Sequence, residues 1–251
     1  MRCITFKLFV VAGALTLFGV GASVAQPFTV NPGWDLFATQ TGTTYQGVPF
    51  VGVSLGTYNF GSTIGVQNVG DTDTIIQRLT LASSPSQAIP VQMDALQLET
   101  AAPVSLGGGP FGNYFITLQS ARGGPLSTGS MTINFGPDTF TSSLDIFFDI
   151  RFGALNGPIV NSSDLLLSNP STPWSNLPPP NAVLIDGANY LLNGVDTTHD
   201  FWPIGPFAET EAGATHVVDA ALTVPEPATN ACFLLGATLF VLRRFRISAA
   251  S

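Results

Sequence analysis

The sequence has very little positive charge. It contains one lysine and seven arginines in 251 residues, and five of these eight lie near the two ends of the chain. Residues 26–225 hold three arginines against fifteen acids, a net charge of −12. Proteins that bind nucleic acid need cationic side chains against the phosphates. This composition therefore excludes a nucleic-acid partner, whereas a polyhydroxylated partner is compatible with it.

Cysteine and histidine are also scarce. The two cysteines, Cys3 and Cys232, lie in the terminal segments. A disulfide framework, a cysteine zinc site and a cysteine nucleophile are thus excluded from the segment between them. The two histidines, His199 and His216, occur without a Gly-x-Ser-x-Gly or His-Glu-x-x-His motif, and the EF-hand spacing is absent. We therefore assign no catalytic residue, metal or cofactor from the sequence.

The first 25 residues have the pattern of a secretory signal peptide. Two cationic residues precede an apolar run over residues 8–20, and small residues follow. Ser23 and Ala25 suit the −3 and −1 positions of a cleavage site, so we expect cleavage before Gln26. The apolar run is shorter than the roughly 20 residues that a spanning helix needs. This length favours a cleaved signal over a retained anchor.

The last residues form a second apolar segment with the opposite polarity. Pro225, Glu226 and Pro227 precede an apolar run over residues 231–242, and a basic cluster follows the run. The cluster consists of Arg243, Arg244 and Arg246. This pattern predicts a short transmembrane helix whose arginines stay on the cytoplasmic side of the membrane.

Residues 224–251 closely resemble the PEP-CTERM sorting signal, which combines a Pro-Glu-Pro motif, a short hydrophobic helix and a terminal basic cluster. Proteins with this tail look like substrates of exosortase, a membrane transpeptidase of Gram-negative bacteria that make exopolysaccharide. The resemblance implies export by the secretion machinery, a precursor anchored in the inner membrane, and deposition on the cell surface or in the extracellular matrix. It implies nothing about residues 26–223, because such tails occur on unrelated domains. A plain C-terminal membrane anchor is the alternative.

The segment between the two ends is patterned for β-strands. Residues 144–152 alternate strictly, with the even-numbered apolar residues on one face, and residues 114–118 alternate with Tyr114, Ile116 and Leu118 inward. Further candidate strands are residues 74–81, 90–98, 182–185, 188–192 and 216–224. Within residues 91–98 the apolar phase shifts from odd to even positions, which predicts a β-bulge. Asn193-Gly194 predicts a tight hairpin turn.

This strand pattern predicts an all-β fold, a single jelly-roll-like β-sandwich over residues 26–223. The signal helix (residues 1–25) and the transmembrane tail helix (residues 224–251) flank it. The Pro-rich stretch Ser168–Pro180 is interpreted as a long loop over one domain. A linker is disfavoured because the segment that follows is too small for an independent core.

Three aromatic residues are candidate ligand-binding residues: Trp174, Phe201 and Trp202 lie in Pro-rich segments, where flat rings can stack on sugar rings. The alternative is that they pack into the core. A second candidate is the loop that holds Asp196, His199 and Asp200, where metal binding or acid–base chemistry is conceivable.

We interpret the chain as an exported, non-enzymatic surface or matrix protein, because the sequence holds no catalytic constellation. A module that binds carbohydrate, such as exopolysaccharide, is the first alternative. A secreted hydrolase is the second, and it needs two carboxylates that converge in a cleft. Asp200 with Glu209 or Glu211 is the pair to inspect for that activity.

Overall fold

The computed structural model describes residues 28–196 and 198–223. The signal segment, the sorting tail and the two helices predicted for them lie outside these residues. The strands are β1 (Thr29–Val30), β2 (Gly33–Thr39), β3 (Thr44–Tyr45), β4 (Val48–Gly52), β5 (Thr57–Asn59), β6 (Val66–Asn68), β7 (Thr74–Arg78), β8 (Ala82–Ser83), β9 (Ser86–Thr100), β10 (Val104–Ser105), β11 (Phe111–Gly112), β12 (Tyr114–Leu118), β13 (Ser127–Asn134), β14 (Thr139–Phe152), β15 (Ile159–Ser175), β16 (Leu191–Leu192), β17 (Val195–Asp196), β18 (Trp202–Pro203), β19 (Phe207–Glu211) and β20 (Ala214–Ala220). Short 3₁₀ turns lie at Leu106–Gly108 and Gln119–Arg122. Among the described residues, no helix is long and apolar enough to cross a membrane.

Eight strands form a closed antiparallel barrel. The ring runs β14, β15, β19, β20, β2, β7, β9, β13 and returns to β14. Toward the other end, β12 takes the place of β13 between β9 and β14, while β3 and β4 connect β20 to β9. The long strands β9 and β14 therefore have partners on both sides, and this ring of described strands has no free edge.

The all-β prediction is confirmed for the described residues, since strands account for 58% and helices for 4% of the structure. The architecture, however, is a closed barrel and not the expected two-sheet sandwich. Alternation in sequence reports which face of each strand is buried, and both architectures bury one face of every strand. They differ in long-range pairings, such as that of β13 with both β9 and β14, which local alternation does not encode.

The alternation predicted in β14 and β12 is confirmed. Leu144, Ile146, Phe148 and Ile150 are buried inside the barrel, and so are the three predicted inward residues of β12. The two strands pair in a register that sets Ile116 opposite Ile150. Their apolar faces therefore line the same interior.

β9 contains the predicted bulge. Ile75 of β7 pairs with Ala95, whereas Ile76 pairs with Met93, so Asp94 is the extra residue. The buried positions of β9 change from odd to even numbers at this point. Asp94 and Ala95 consequently both lie on the outer side of the barrel.

The loop prediction for Ser168–Pro180 is wrong in its first part, because β15 continues to Ser175. Phe140 of β14 pairs with Thr172, but Ser142 pairs with Asn169, so β15 bulges between these partners. Pro170 lies in the bulge, where the missing backbone N–H does not interrupt the ladder. Pairing with the neighbouring strand β14 therefore keeps this segment in the sheet, although its prolines predicted a loop.

The segment after this loop is mostly irregular. The strand predictions for residues 182–185 and 188–192 are wrong except at β16, and the rest forms turns and isolated bridges. The hairpin prediction is confirmed, because Asn193 and Gly194 connect β16 to β17. Their φ angles are 55° and 73°, the positive values that a two-residue hairpin turn requires.

Apolar side chains fill the barrel. Aromatic rings meet edge to face across it, as Phe140 does with Phe201 and Phe207, and as Tyr45 does with Phe148. Two cavities of about 40 and 20 Å³ remain in the interior. Each is large enough for about one or two water molecules and too small for an organic ligand.

A second apolar cluster, called here the outer cluster, lies on the outer face of β2, β7 and β9. Its buried members are Leu36, Ala38, Phe60, Val69, Ile75, Ala95, Val183, Ile185, Ala188 and Ala221. Residues 53–70, which include the β5–β6 hairpin, and residues 182–188 cover this face. The cover gives the barrel a thickened side next to the bulge of β9.

Candidate functional site

The residues predicted to direct export lie outside the described residues. This holds for Ser23, Ala25 and Gln26 of the cleavage site. It also holds for the sorting residues Pro225, Glu226, Pro227, Arg243, Arg244 and Arg246. Their roles stay predictions.

The three candidate aromatics lie in the core. Trp174, Phe201 and Trp202 are 3%, 2% and 4% exposed, respectively. Trp174 stacks on Phe201 with 5.6 Å between ring centroids, and Trp202 is held in β18, which pairs with the end of β15. Their ring faces are occupied by protein, which is the arrangement of the core-packing alternative. A sugar cannot stack on them in this structure.

Two residues of the predicted Asp196–Asp200 site, His199 and Asp200, lie in different environments. His199 is exposed, and its Nδ1 lies 3.2 Å from Thr29 Oγ1, whereas Asp200 is fully buried. Within residues 28–196 and 198–223, no group of three or more His, Cys, Asp or Glu side chains is arranged to hold a metal ion.

Asp200 belongs to a buried ionic triad with Arg78 and Asp35. Arg78 Nη2 donates to Asp200 Oδ1 at 2.8 Å, and its Nε lies 3.1 Å from Asp35 Oδ2. Arg78 Nη1 donates to the Asn31 carbonyl oxygen at 2.9 Å. The guanidinium therefore ties β2 and β7 to the segment before β18.

The charges of the triad do not balance when both acids ionise. Burial raises the pKa of Asp35 to about 6 and that of Asp200 to about 8, although Arg78 acts against both shifts. Asp35 Oδ1 and Asp200 Oδ2 have no hydrogen-bond partner among the described residues. Because both pKa values are raised, the pair binds one proton in total near neutral pH. Complete burial of Arg78 makes the triad structural.

A threonine, a histidine and an aspartate meet at the end of β2. Thr39 donates from its backbone N and from Oγ1 to Asp73, both at 2.7 Å, and Thr39 Oγ1 lies 3.2 Å from His216 Nε2. Burial raises the pKa of Asp73 to about 6 and lowers that of His216 to about 4. Because the Thr39 hydroxyl proton is directed to Asp73 and not to the imidazole, this arrangement does not generate a nucleophile.

Glu209 is buried in the barrel, and no basic side chain of the described residues forms an ion pair with it. Ser142 Oγ donates to its Oε1 at 2.7 Å. Burial raises the pKa of Glu209 to about 7, and the bond from Ser142 offsets only part of the shift. Glu209 lines the 20 Å³ cavity together with Asp35 and Phe201. Of the carboxylates predicted for a hydrolase, only Glu209 lines this cavity, since Asp200 does not contribute to its lining and Glu211 is exposed.

Asp149 lies on the outer face of β14, as its phase predicts, but it is buried there. Arg122 clamps it from the 3₁₀ turn, with Nε at 2.6 Å from Oδ2 and Nη2 at 2.9 Å from Oδ1. These bonds hold the pKa of Asp149 below its usual value. Arg151, which lies two residues away on the same strand face, is farther from Asp149, at 3.5 Å. The dominant partner comes from a turn 27 residues upstream, which strand alternation cannot identify.

An open groove on the outer wall of the barrel combines polar groups with an aromatic wall. Its volume is about 460 Å³. The polar residues of this groove, called here the Asp94 groove, are Tyr58, Asp94, Gln97, Thr117, Arg151 and Asn156. Its floor is the outer face of β9, β12 and β14, and the β5–β6 hairpin and the turn after β14 form its walls.

The bulge of β9 directs Asp94 into this groove. Trp34 Nε1 donates to Asp94 Oδ2 at 2.9 Å, and Gln92 Nε2 donates to Oδ1 at 2.6 Å. Tyr58 packs against Phe60 with 4.8 Å between ring centroids. Burial, with a smaller contribution from Asp94, raises the pKa of Tyr58 to about 12. The phase shift in β9 was the one sequence signal for this site, and it did not single out Asp94.

Neither a protein-family model, nor a curated protein, nor a solved structure matches the chain.

Proposed function

We propose that this chain is an exported, non-enzymatic protein of the cell surface or extracellular matrix. Its N-terminal segment directs secretion, and its PEP-CTERM-like tail holds the precursor in the inner membrane for exosortase. The barrel is the part that reaches the surface or the matrix.

The observation that carries this proposal is the opposite polarity of the two terminal segments. Positive charge precedes the first apolar run and follows the second. Positive charge before an apolar run is typical of secretion signals. Positive charge after an apolar run stops transfer through the membrane and keeps the arginines in the cytoplasm. The Pro-Glu-Pro motif at residues 225–227 adds the resemblance to a sorting signal.

The barrel supports the non-enzymatic part of the proposal. Arg78, Asp200, Glu209 and His216 are buried, and their partners are other protein groups. The interior cavities of about 20 and 40 Å³ are far below the 300–1,000 Å³ of ordinary ligand sites. Groups with perturbed pKa values often mark active sites, but burial is the main cause of the shifted pKa values of Asp200, Glu209 and His216.

Intact mass and cell fractionation test the sorting proposal. In cells with exosortase, we expect a chain that begins at Gln26, has lost its tail, and lies at the surface or in the medium. In cells that lack exosortase, the chain should keep its tail and fractionate with the inner membrane.

Two variants make the test specific. Glu226→Ala in the motif should cause membrane retention even when exosortase is present, whereas Glu211→Ala, an exposed glutamate of the barrel, should be sorted like the wild type. A cytosolic chain that still begins at Met1 and ends at Ser251 would refute the proposal.

A further inference from the structure

We propose that the Asp94 groove is a binding site for a neutral saccharide chain. This inference goes beyond the proposed function, because a surface protein can be displayed without binding any ligand. It also assigns saccharide binding to residues other than the buried Trp174, Phe201 and Trp202.

Asp94, the one carboxylate among the residues that line the groove, is fixed and still has acceptor capacity. An ionised carboxylate has about four acceptor positions, and Trp34 and Gln92 use one on each oxygen of Asp94. These two donors set the orientation of the side chain. The remaining lone pairs are available to ligand hydroxyls, which are good donors to a carboxylate.

Two amides in the groove have no partner among the described residues. Gln97 on the floor and Asn156 on the wall line the groove, and neither side chain makes a hydrogen bond within residues 28–196 and 198–223. Each amide offers both donors and an acceptor. Saccharide hydroxyls also donate and accept, so they can satisfy both halves of such a side chain.

Tyr58 supplies a rigid apolar surface beside these polar groups. Its packing against Phe60 holds the ring in place. The pKa of about 12 keeps the phenol neutral at physiological pH, so its hydroxyl remains a donor. An aromatic face next to fixed polar groups is an arrangement typical of sites that orient a ligand with both apolar and hydroxyl surfaces.

The charges favour a neutral ligand over an anionic one. Arg151 is already engaged, because its Nε donates to Thr117 Oγ1 at 3.0 Å and its Nη1 donates to the Gly157 carbonyl oxygen at 3.0 Å. The surrounding protein carries a net charge of −12 over residues 26–225. Polyanions are therefore repelled on approach.

The position of the groove disfavours a peptide as the ligand. Extended peptides commonly bind by adding a strand to an exposed sheet edge. The floor of the Asp94 groove is a sheet face, and β12 is paired on both sides, with β9 and with β14. Recognition here must use side chains, as it does for a saccharide.

Calorimetric titration of the protein in the form purified after export tests the proposal. The probes are neutral hexasaccharides of glucose, mannose and galactose, with a galacturonic acid hexasaccharide as the anionic comparison. We expect saturable binding of at least one neutral probe and weaker binding of the anionic one. Absence of binding to all three neutral probes at millimolar concentration, or preference for the anionic probe, would overturn the proposal.

Matched double variants locate the site. Gln97→Ala with Asn156→Ala should weaken binding about tenfold or more, the loss expected when two hydrogen bonds are removed. Gln87→Ala with Asn161→Ala changes the same residue types at exposed positions outside the groove, and it should keep affinity within about twofold of the wild type. Equal affinity of the two double variants would refute the groove as the site, while leaving the sorting proposal untouched. Thermal unfolding of both variants confirms that the fold is retained.

Discussion

Glu209 should make the stability of this protein fall as the pH rises. The side chain is 1% exposed and forms no ion pair with a basic group of the described residues, and burial raises its pKa from 4.5 to about 7. Between these two values the folded protein keeps the proton and the unfolded chain releases it. The free energy of unfolding therefore decreases with pH in this interval. The stabilisation is complete below pH 4.5 and is lost as the pH passes 7.

The size of this effect follows from the shift itself. Each pKa unit corresponds to about 1.4 kcal/mol, so the contribution of Glu209 changes by about 3 kcal/mol between acid and neutral pH. Glu209→Gln removes the titration and keeps an oxygen that accepts from Ser142 Oγ. The buried amide N–H has its own cost, but this cost is independent of pH and cancels when slopes are compared.

Urea unfolding at pH values from 4.5 to 8.5 measures the difference. We expect the free energy of unfolding of the wild type to fall by about 3 kcal/mol more than that of Glu209→Gln over this range. Glu209→Gln changes no other titratable residue, so the difference between the two pH dependences reports mainly on the proton of Glu209. Glu211→Gln, at an exposed position on the same strand, should follow the wild type. Parallel curves for the wild type and Glu209→Gln would refute the reasoning.

Two further predictions concern the buried polar clusters. Arg78→Met should lower the free energy of unfolding by about 3 kcal/mol or more at pH 7, because it leaves the two carboxyls of the triad without a cation. The difference in free energy of unfolding between the wild type and Arg78→Met should be smaller at pH 4, where the carboxyls are protonated. A difference below about 1 kcal/mol at pH 7, measured by urea unfolding, would contradict this role. Gly52→Ala should cost about 2 kcal/mol, because a Cβ there would lie 1.7 Å from Asp73 Oδ2 and displace that carboxylate from its hydrogen bonds. Gly136→Ala, where a Cβ meets nothing within 4 Å, is the control, and equal melting temperatures of the two variants would count against the close approach.

Local patterns in the sequence were enough to predict features that depend on the order of neighbouring residues, namely strand faces, a bulge and a tight turn. β14 alternates because one face meets the interior at every second residue, and the structure buries that face from Leu144 to Ile150. The bulge in β9 appeared as a change of phase, since an extra residue moves all later side chains to the opposite face. Asn193-Gly194 was recognisable because a two-residue turn needs positive φ at both positions.

Other features depended on partners distant in the chain. The proline signal in β15 was overridden by pairing with β14, which accommodates Pro170 in a bulge. The Pro-rich sequence around Trp174 predicted an exposed ring that could bind a ligand, yet the ring is buried and stacks on Phe201. Arg122 was not expected to pair with Asp149, because the 3₁₀ turn that carries it is placed against β14 only in the folded barrel.

The sequence by itself determined the all-β class of the described residues, the bulge in β9 and the inward faces of β12 and β14. The address carried by the two ends also comes from the sequence alone and stays a prediction. These properties follow from the order of apolar, polar and cationic residues along short stretches. The tertiary structure decided that the sheet closes, that Glu209 and the Arg78 triad lose contact with water, and that Asp94 faces a groove beside Tyr58. Closure and burial arise from contacts between residues far apart in the chain. A local pattern does not show which distant strand each strand will pair with.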